Sequence, residues 1–312
     1  LDSLDAGVRP ATIDALGQLG NETTVLPLVD AATSADEEAA KRARESLIRL
    51  ADAGVNGALL GTYEQAPPDA KVLLLGILAD RRATEALPMM LDAAAYESGA
   101  VRDAVYAALG QLARKESIPG LAALFYEAED EAERSASVRA LTNLLRRVPA
   151  GEARTNTLVS LYTSTPSSVS KAALLGLYRD LGDDRLLPTL EEAVASEDAI
   201  VKDAAVTALT GWPSATPLAS VYALASGPGS DAHKEAALDG YIRMLRLDSE
   251  RPVEESLAGF KRALALSSDP GIVRAVLAGI SELKSTEALD LAESMRDHAA
   301  LHTEADIAAD TI

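Results

Sequence analysis

The sequence predicts an all-α fold, a right-handed α-α superhelix of about nine helix pairs, and three observations point to it. Leucine recurs at positions 16, 47, 75, 109, 141, 175, 209, 238 and 277, at a spacing typical of helical repeat arrays. An apolar residue stands three positions after each of these leucines, and a second set of apolar pairs, also three apart, lies between them. Ala and Leu dominate the apolar residues and only 4% of the chain is aromatic, which favours helix packing over strands.

Taken in order, the array opens on Leu16/Leu19, a second-type helix with no partner before it. First helices then carry Leu26/Val29, Leu60/Tyr63, Leu87/Met90, Leu121/Leu124, Leu158/Leu161, Leu187/Leu190, Leu218/Val221, Leu257/Phe260 and the weaker Leu289/Ala292. The second helices that answer them carry Leu47/Leu50, Leu75/Leu78, Leu109/Leu112, Leu141/Leu144, Leu175/Tyr178, Leu209/Trp212, Leu238/Tyr241 and Leu277/Ile280. A spacing of three puts each pair on one helix face, the face expected in the core, with Trp212 as a core plug. Pro27, Pro88, Pro119, Pro188 and Pro217 fall at the openings of first helices, where a missing N–H costs nothing. Small residues after the leucine, namely Gly17, Gly76, Gly110, Gly176 and Ala278, are expected to let a neighbouring helix approach closely. The array is expected to run as one domain over residues 1–302 and to close on a first helix, with 303–312 an acidic tail expected to be disordered.

The runs Val101-Arg102-Asp103-Ala104 to Ala108-Leu109-Gly110, Val201-Lys202-Asp203-Ala204 to Ala208-Leu209, and Ile272-Val273-Arg274-Ala275 resemble the HEAT-repeat family, and within it the bacterial phycobilisome-lyase-like HEAT repeats. The likeness covers roughly residues 8–300 and departs most at Ile48, Thr142 and Asp239, where the small residue is replaced. It implies a HEAT-type solenoid whose second helices line a concave surface, and it says little about activity because the motif residues are structural. It also implies that the bases Arg9, Lys71, Arg102, Arg134, Lys171, Lys202 and Lys234 form a ladder of ion pairs between repeats, with acids such as Asp103 and Asp203 as partners. A row of binding residues is the alternative reading.

Composition narrows the function classes. The net charge is −19 and the pI about 4.6. Phosphate backbones are bound by Lys and Arg displacing counterions, so nucleic acid is not expected as a partner. With no cysteine there are no disulfides, thiolate metal sites or cysteine nucleophiles. At 48% hydrophobic residues and a mean hydropathy of +0.05 the chain has the material for a continuous core, but no apolar run is long enough for a membrane span.

Two groups of residues are candidates for binding. Positions two and five past the leucines read Gln18, Arg49, Gln111 and Asn143, then Arg114 and Arg146, a polar stripe expected on the concave face. Arginine forks and planar amides suit carboxylates and peptide backbones. The second group is an edge of acids where first helices turn into second ones: Asp36-Glu37-Glu38, Glu197-Asp198, Asp231, Asp269 and, most densely, Glu129, Asp130, Glu131 and Glu133. Such an edge suits a basic partner or a cation, and the same carboxylates also suit helix starts, where they cap free N–H groups.

Catalytic signatures are sparse. His298 and His302 lie four apart with Glu304 and Asp306 nearby, yet a third firm metal ligand is missing. Ser168-Val169-Ser170-Lys171 has Ser-x-x-Lys spacing without its companion motifs, and Asn21-Glu22-Thr23 matches a glycosylation sequon of the kind chance supplies. The His-Glu pairs that HEAT-like deoxyhypusine hydroxylases use for iron are absent, and the charge opposes the basic groove of HEAT-like DNA glycosylases. The expectation is therefore a non-catalytic scaffold or adaptor, without cofactor, that holds a protein or peptide on its concave face and acidic edge. The alternative is an accessory module of a larger enzyme or a bilin-lyase-like cofactor chaperone. A thin polar cap at Leu4, Val8 and Ile13 suggests a fragment of a longer array or end-to-end self-association, and the missing cysteines and start Met lean towards an extracytoplasmic bacterial location.

Overall fold

A computed structural model describes residues 8–247, 250–296 and 302–312, which form nineteen α-helices and no strand. The chain divides into two compact units, Leu1–Pro149 and Ala150–Ile312.

The first unit holds α1 (Arg9–Leu19), α2 (Val25–Ala32), α3 (Glu37–Arg49), α4 (Val55–Gln65), α5 (Pro68–Asp80), α6 (Leu87–Tyr96), α7 (Gly99–Leu112), α8 (Ile118–Glu127) and α9 (Glu131–Arg147). Odd-numbered helices stack on one another as one layer, and α2, α4, α6 and α8 pack on them as the other. The second unit holds α10 (Glu152–Ser164), α11 (Ser168–Leu181), α12 (Leu187–Val194), α13 (Ala199–Thr210), α14 (Leu218–Ser226), α15 (Asp231–Leu245), α16 (Val253–Leu266), α17 (Pro270–Ile280), α18 (Thr286–Glu293) and α19 (His302–Thr311). Here α11, α13, α15, α17 and α19 form the stacked layer. Counting from α2, the helices make nine pairs of a first and a second helix, preceded by α1 alone.

The recurring leucines are the reason for the stacking: from Leu47 to Leu277 all eight are buried, as is the apolar residue three positions after each. The ends depart from the pattern. Leu19 is 86% exposed and Leu26 58% exposed, since α1 stops at Leu19 and α2 turns Val25, Leu28 and Val29 inward instead. Beyond 302 the expected disordered tail is a helix, α19, with Ala305 and Ala308 buried against α17 and α18, and Arg274 Nε meets Glu304 at 2.9 Å. Its core side chains are alanines, too small to show in a leucine pattern. The last described helix is thus a second helix, where a first one was expected. Prolines open first helices as expected at Pro88, Pro119 and Pro188.

The small-residue expectation holds at some repeats only. A Cβ on Gly17 would lie 2.5 Å from Ser46 Cβ, and Ser46 Oγ donates to Ile13 O at 3.1 Å, so α1 and α3 are in backbone contact there. Nothing lies within 4 Å of a Cβ at Gly176. In the eighth repeat a Cβ on Gly240, one position past the expected site, would lie 2.7 Å from Thr210 O.

Candidate functional site

The acidic turns start helices. Asp36, Asp130, Asp198 and Asp269 are N-caps whose carboxylates accept N–H bonds from the first turns of α3, α9, α13 and α17. In the densest run, Asp130 accepts from Glu133 N at 2.8 Å, Glu133 accepts from Glu129 N at 2.9 Å and pairs with Arg102, and Glu131 accepts from Arg134 at 2.8 Å. Three of the four acids singled out at this edge are therefore engaged within the fold, and Glu129 stays exposed beside them.

The ladder forms at three of the seven expected bases, with different partners, while Arg134 pairs with Glu131 of its own helix. A base at the start of one second helix meets an acid near the start of the next in Arg9–Asp36 at 3.7 Å, Lys71–Glu97 at 2.6 Å and Arg102–Glu133. Asp203 pairs with His233 at 2.7 Å rather than with a lysine. Lys71 also lies 5.1 Å over the Tyr63 ring, and burial followed by the Glu97 charge pushes the Tyr63 hydroxyl up to about 12.

The polar stripe is real but interrupted. Gln18, Arg49, Gln111 and Asn143 are exposed at the same register of α1, α3, α7 and α9, whereas α5 places Ile77 there, fully buried. This splits the row in two. On the α1–α3 side the bases face acids: Arg42 meets Asp14 at 2.9 Å, Arg49 approaches the same carboxylate at 4.0 Å, and Arg44 meets Asp80 at 3.1 Å. On the α7–α9 side Asn143 lies over Gly110, its Nδ2 3.2 Å from where a Cβ would stand, next to Gln111. Arg114 is not on the helix as its register implied, because α7 ends at Leu112 and Arg114 lies in the turn that leads to α8. It still joins the same surface: Arg147 donates to Gly110 O at 2.7 Å and to Ala113 O at 2.9 Å, tying that turn to the end of α9 beside Arg146.

Arg139, which the register argument missed, is exposed on α9 four residues before Asn143, so the two share a face with Arg146. Its signal was the charge pattern of the segment. Residues 134–151 hold Arg134, Arg139, Arg146 and Arg147 and no acid, in a chain with 48 acids and 29 Lys and Arg. Among the described residues, the side chains of Arg114 and Arg139 make no ion pair.

Also unforeseen is a recurrent use of arginine as a helix-end clamp. Besides Arg147, Arg81 bonds Leu47 O at 2.7 Å, Ile48 O at 3.0 Å and Leu50 O at 2.7 Å, and Arg243 bonds Thr210 O and Trp212 O. Each closes the open carbonyl end of the preceding second helix, which has no donors of its own. Five and six positions past the leucine was the legible spacing.

The motifs set aside on sequence grounds have ordinary places. Ser168 donates to Asp198, and Lys171 lies 5.5 Å over Tyr162. His302 contacts Arg296 O at 3.0 Å and Asp306 at 3.4 Å, while His298 lies outside the described residues. Asn21 Oδ1 accepts from the N–H and the hydroxyl of Thr23, capping a short turn before α2. Trp212 is fully buried with Nε1 donating to Asp184 at 2.8 Å. Among the described residues there is no group of three His, Cys, Asp or Glu placed to hold a metal, and no helix long and apolar enough to cross a membrane.

Residues 57–142 match the family model for HEAT repeats, a segment that includes α5 to α8 and most of α9. No curated protein matches in sequence. Human deoxyhypusine hydroxylase in complex with glycerol is 15% identical over 95% of this chain and 98% of its own, with a TM-score of 0.34. An engineered protein is 16% identical over 92% and 95%, with a TM-score of 0.22, and a computationally designed self-assembling cyclic homo-oligomer is 15% identical over 98% of both chains, with a TM-score of 0.15. Scores this low carry no argument about activity or assembly. The chain is an all-α helical solenoid, and its segment 57–142 matches the HEAT-repeat model.

Proposed function

We propose that this protein is a non-catalytic scaffold or adaptor that holds a protein or peptide partner on the exposed face of α7 and α9. One observation carries the reading: on this half of the polar stripe the side chains of Arg114 and Arg139 make no ion pair among the described residues and lie with the exposed amides of Gln111 and Asn143, whereas on the α1–α3 half Arg42, Arg44 and Arg49 face carboxylates. Arrays of this kind bury their core by stacking neighbour on neighbour, which leaves long helix faces free for partners. The acidic edge contributes less, since its carboxylates hold helix starts and ladder bases.

The test is affinity capture from the native host followed by mass spectrometry. It compares the full chain with a variant carrying Arg114→Glu, Arg139→Glu and Asn143→Ala, none of which is buried. The variant is expected to keep its helical circular dichroism and to lose the captured partner. Capture that is unchanged in the variant would sink the reading.

A further inference from the structure

We infer that a cavity of the second unit, lined by α10, α11 and α12, binds a small zwitterion, an α-amino acid or a dipeptide, with its carboxylate on Lys171 and Tyr162 and its ammonium on Glu192. The cavity measures about 530 Å3, within the ~300–1,000 Å3 usual for small-molecule sites. Val159, Ala193 and Ala195 give it apolar wall, and Tyr162, Lys171 and Glu192 are the polar groups that converge on it.

The first ground is that the chain builds the same corner three repeats earlier and fills it with a carboxylate of its own. There Lys71 Nζ donates to Glu97 Oε1 at 2.6 Å, the Tyr63 hydroxyl donates to the same oxygen at 3.2 Å, and the ammonium lies 5.1 Å over the Tyr63 ring. Lys171 holds the equivalent place on α11, four residues before Leu175 as Lys71 is before Leu75, and lies 5.5 Å over the Tyr162 ring. The acid equivalent to Glu97, twelve residues before the leucine that follows, is Glu197. Helix α6 runs to Tyr96 and delivers Glu97 directly after its last turn, whereas α12 stops at Val194, two residues short of the equivalent point. Glu197 is exposed and makes no ion pair among the described residues, so the carboxylate that closes the corner in the first unit has no counterpart here.

The second ground is that the cavity holds two unspent charges of opposite sign. Among the described residues neither Lys171 nor Glu192 makes an ion pair, and the Tyr162 hydroxyl makes no hydrogen bond. Ser168 and the first N–H groups of α13 bind the Asp198 carboxylate and, with the Lys171 charge, hold it below its ordinary value, but it makes no ion pair with Lys171. Burial, followed by the Glu192 charge, holds the Tyr162 hydroxyl above its ordinary value, so at neutral pH it is a donor. A carboxylate alone would meet Lys171 but bring a like charge towards Glu192, and an amine alone would do the reverse. A ligand that carries both charges satisfies both walls, through charge-assisted hydrogen bonds at each end.

The experiment is isothermal titration calorimetry of the full-length chain at neutral pH with L-leucine, L-leucyl-L-leucine, N-acetyl-L-leucine and L-leucinamide, whose aliphatic side chain suits the Val159, Ala193 and Ala195 wall. Leucine or the dipeptide is expected to bind, and the tighter of the two tells which zwitterion the cavity takes. N-acetyl-leucine lacks the ammonium and leucinamide the carboxylate, so each should bind at least tenfold more weakly. Lys171→Met and Glu192→Gln should each lower the affinity at least tenfold, and Lys171→Arg should keep most of it. Glu192→Gln should also erase the preference for leucine over N-acetyl-leucine. A control variant at an exposed lysine of α16, Lys261→Met, should bind as the parent does. No binding of either zwitterion, equal binding of N-acetyl-leucine or leucinamide, or an undiminished affinity in Lys171→Met each overturns the inference. The ligand series in the parent chain decides the question even if Lys171→Met fails to fold.

Discussion

Arg154 and Asp183 form a buried ion pair, Nη2 to Oδ2 at 2.7 Å, with side chains only 8% and 3% exposed. It joins α10 to the turn between α11 and α12, inside the second unit. Arg185 completes the cluster, its Nη1 at 3.2 Å and its N–H at 3.3 Å from the other oxygen of the same carboxylate. Removing one partner of a buried pair strands the other charge and typically costs about 3–5 kcal/mol, whereas removing both is often close to neutral. Asp183→Asn should therefore destabilise the protein markedly. Arg154→Met should cost less, because Arg185 still neutralises the aspartate, and Arg154→Met with Asp183→Leu should recover most of the loss. Urea denaturation of the three variants measures this, and equal losses in all three would refute the account.

The same pair sets a pH dependence. Burial alone would raise the Asp183 carboxyl, but the Arg154 hydrogen bond, the Arg185 N–H and the charges of both arginines outweigh it and hold it below the ordinary carboxylate value. A carboxyl lowered in the folded state contributes stability that is complete above its unfolded value, near 4, and is lost as the pH falls through its lower folded value. The parent should therefore lose stability more steeply below about pH 4 than Asp183→Asn does. Denaturation midpoints between pH 2.5 and 7 test this, and parallel curves would contradict it.

Two repeats end a second helix on a residue in the left-handed region, with different residues there. At seven positions past the leucine, Gly182 after α11 has φ 58° and Arg82 after α5 has φ 56°. Around Arg82 the bonds Ala83 N to Leu78 O and Arg82 N to Ala79 O form a Schellman end, whose left-handed position normally takes glycine. A side chain there costs roughly 1 kcal/mol. Arg82→Gly should thus stabilise the first unit by about 0.5–1 kcal/mol. Gly182→Ala should destabilise by more than that, since its Cβ would also meet Pro213 Cγ at 2.6 Å. Thermal denaturation should show opposite signs for the two substitutions.

The helix-end clamps give a fourth expectation. Arg81 is half-buried against the carbonyls of Leu47, Ile48 and Leu50, and its Nε donates to Asn56 Oδ1 at 2.6 Å. Hydrogen bonds from a charged donor are worth about 1.5–3 kcal/mol. Arg81→Met should lower stability by about 2–3 kcal/mol, and Arg81→Lys should restore only part because an ammonium lacks the fork that spans several carbonyls. Guanidinium chloride midpoints of the two variants would show it.

How much could be read beforehand depended on whether a residue acts within its own helix or across repeats. Leucine spacing is local, so the pairing from α2 to α17 was legible, as were the caps Asp36, Asp130, Asp198 and Asp269. Leu19 and Leu26 were misplaced because α1 stops at Leu19 and α2 turns Val25, Leu28 and Val29 inward instead, which a count from the leucine does not show. The Arg154–Asp183 pair spans 29 residues and the clamp from Arg147 to Gly110 spans 37, and no local pattern marks either. At the candidate site, Gln111 and Asn143 were found by register, Arg114 was assigned to a helix that had already ended, and Arg139 was overlooked because it lies one turn before the register used.

The glycines separate packing from chance. Gly17 sits where α1 and α3 touch, and a Cβ there would lie 2.8 Å from Ser46 Cα, a backbone atom that cannot swing away. Gly176 holds the equivalent place on α11 with nothing within 4 Å of a Cβ. Gly17→Ala should force the two helices apart at a cost of about 1–3 kcal/mol, as overpacking does. Gly176→Ala meets no obstacle and gains the helix propensity that glycine lacks, so it should stabilise by about 0.5–1 kcal/mol. Both are measured by chemical denaturation of the full chain. A loss at both positions would mean that the residue after the leucine is a contact in every repeat, whereas opposite signs mean that glycine there is required only where the neighbouring helix has come into backbone contact.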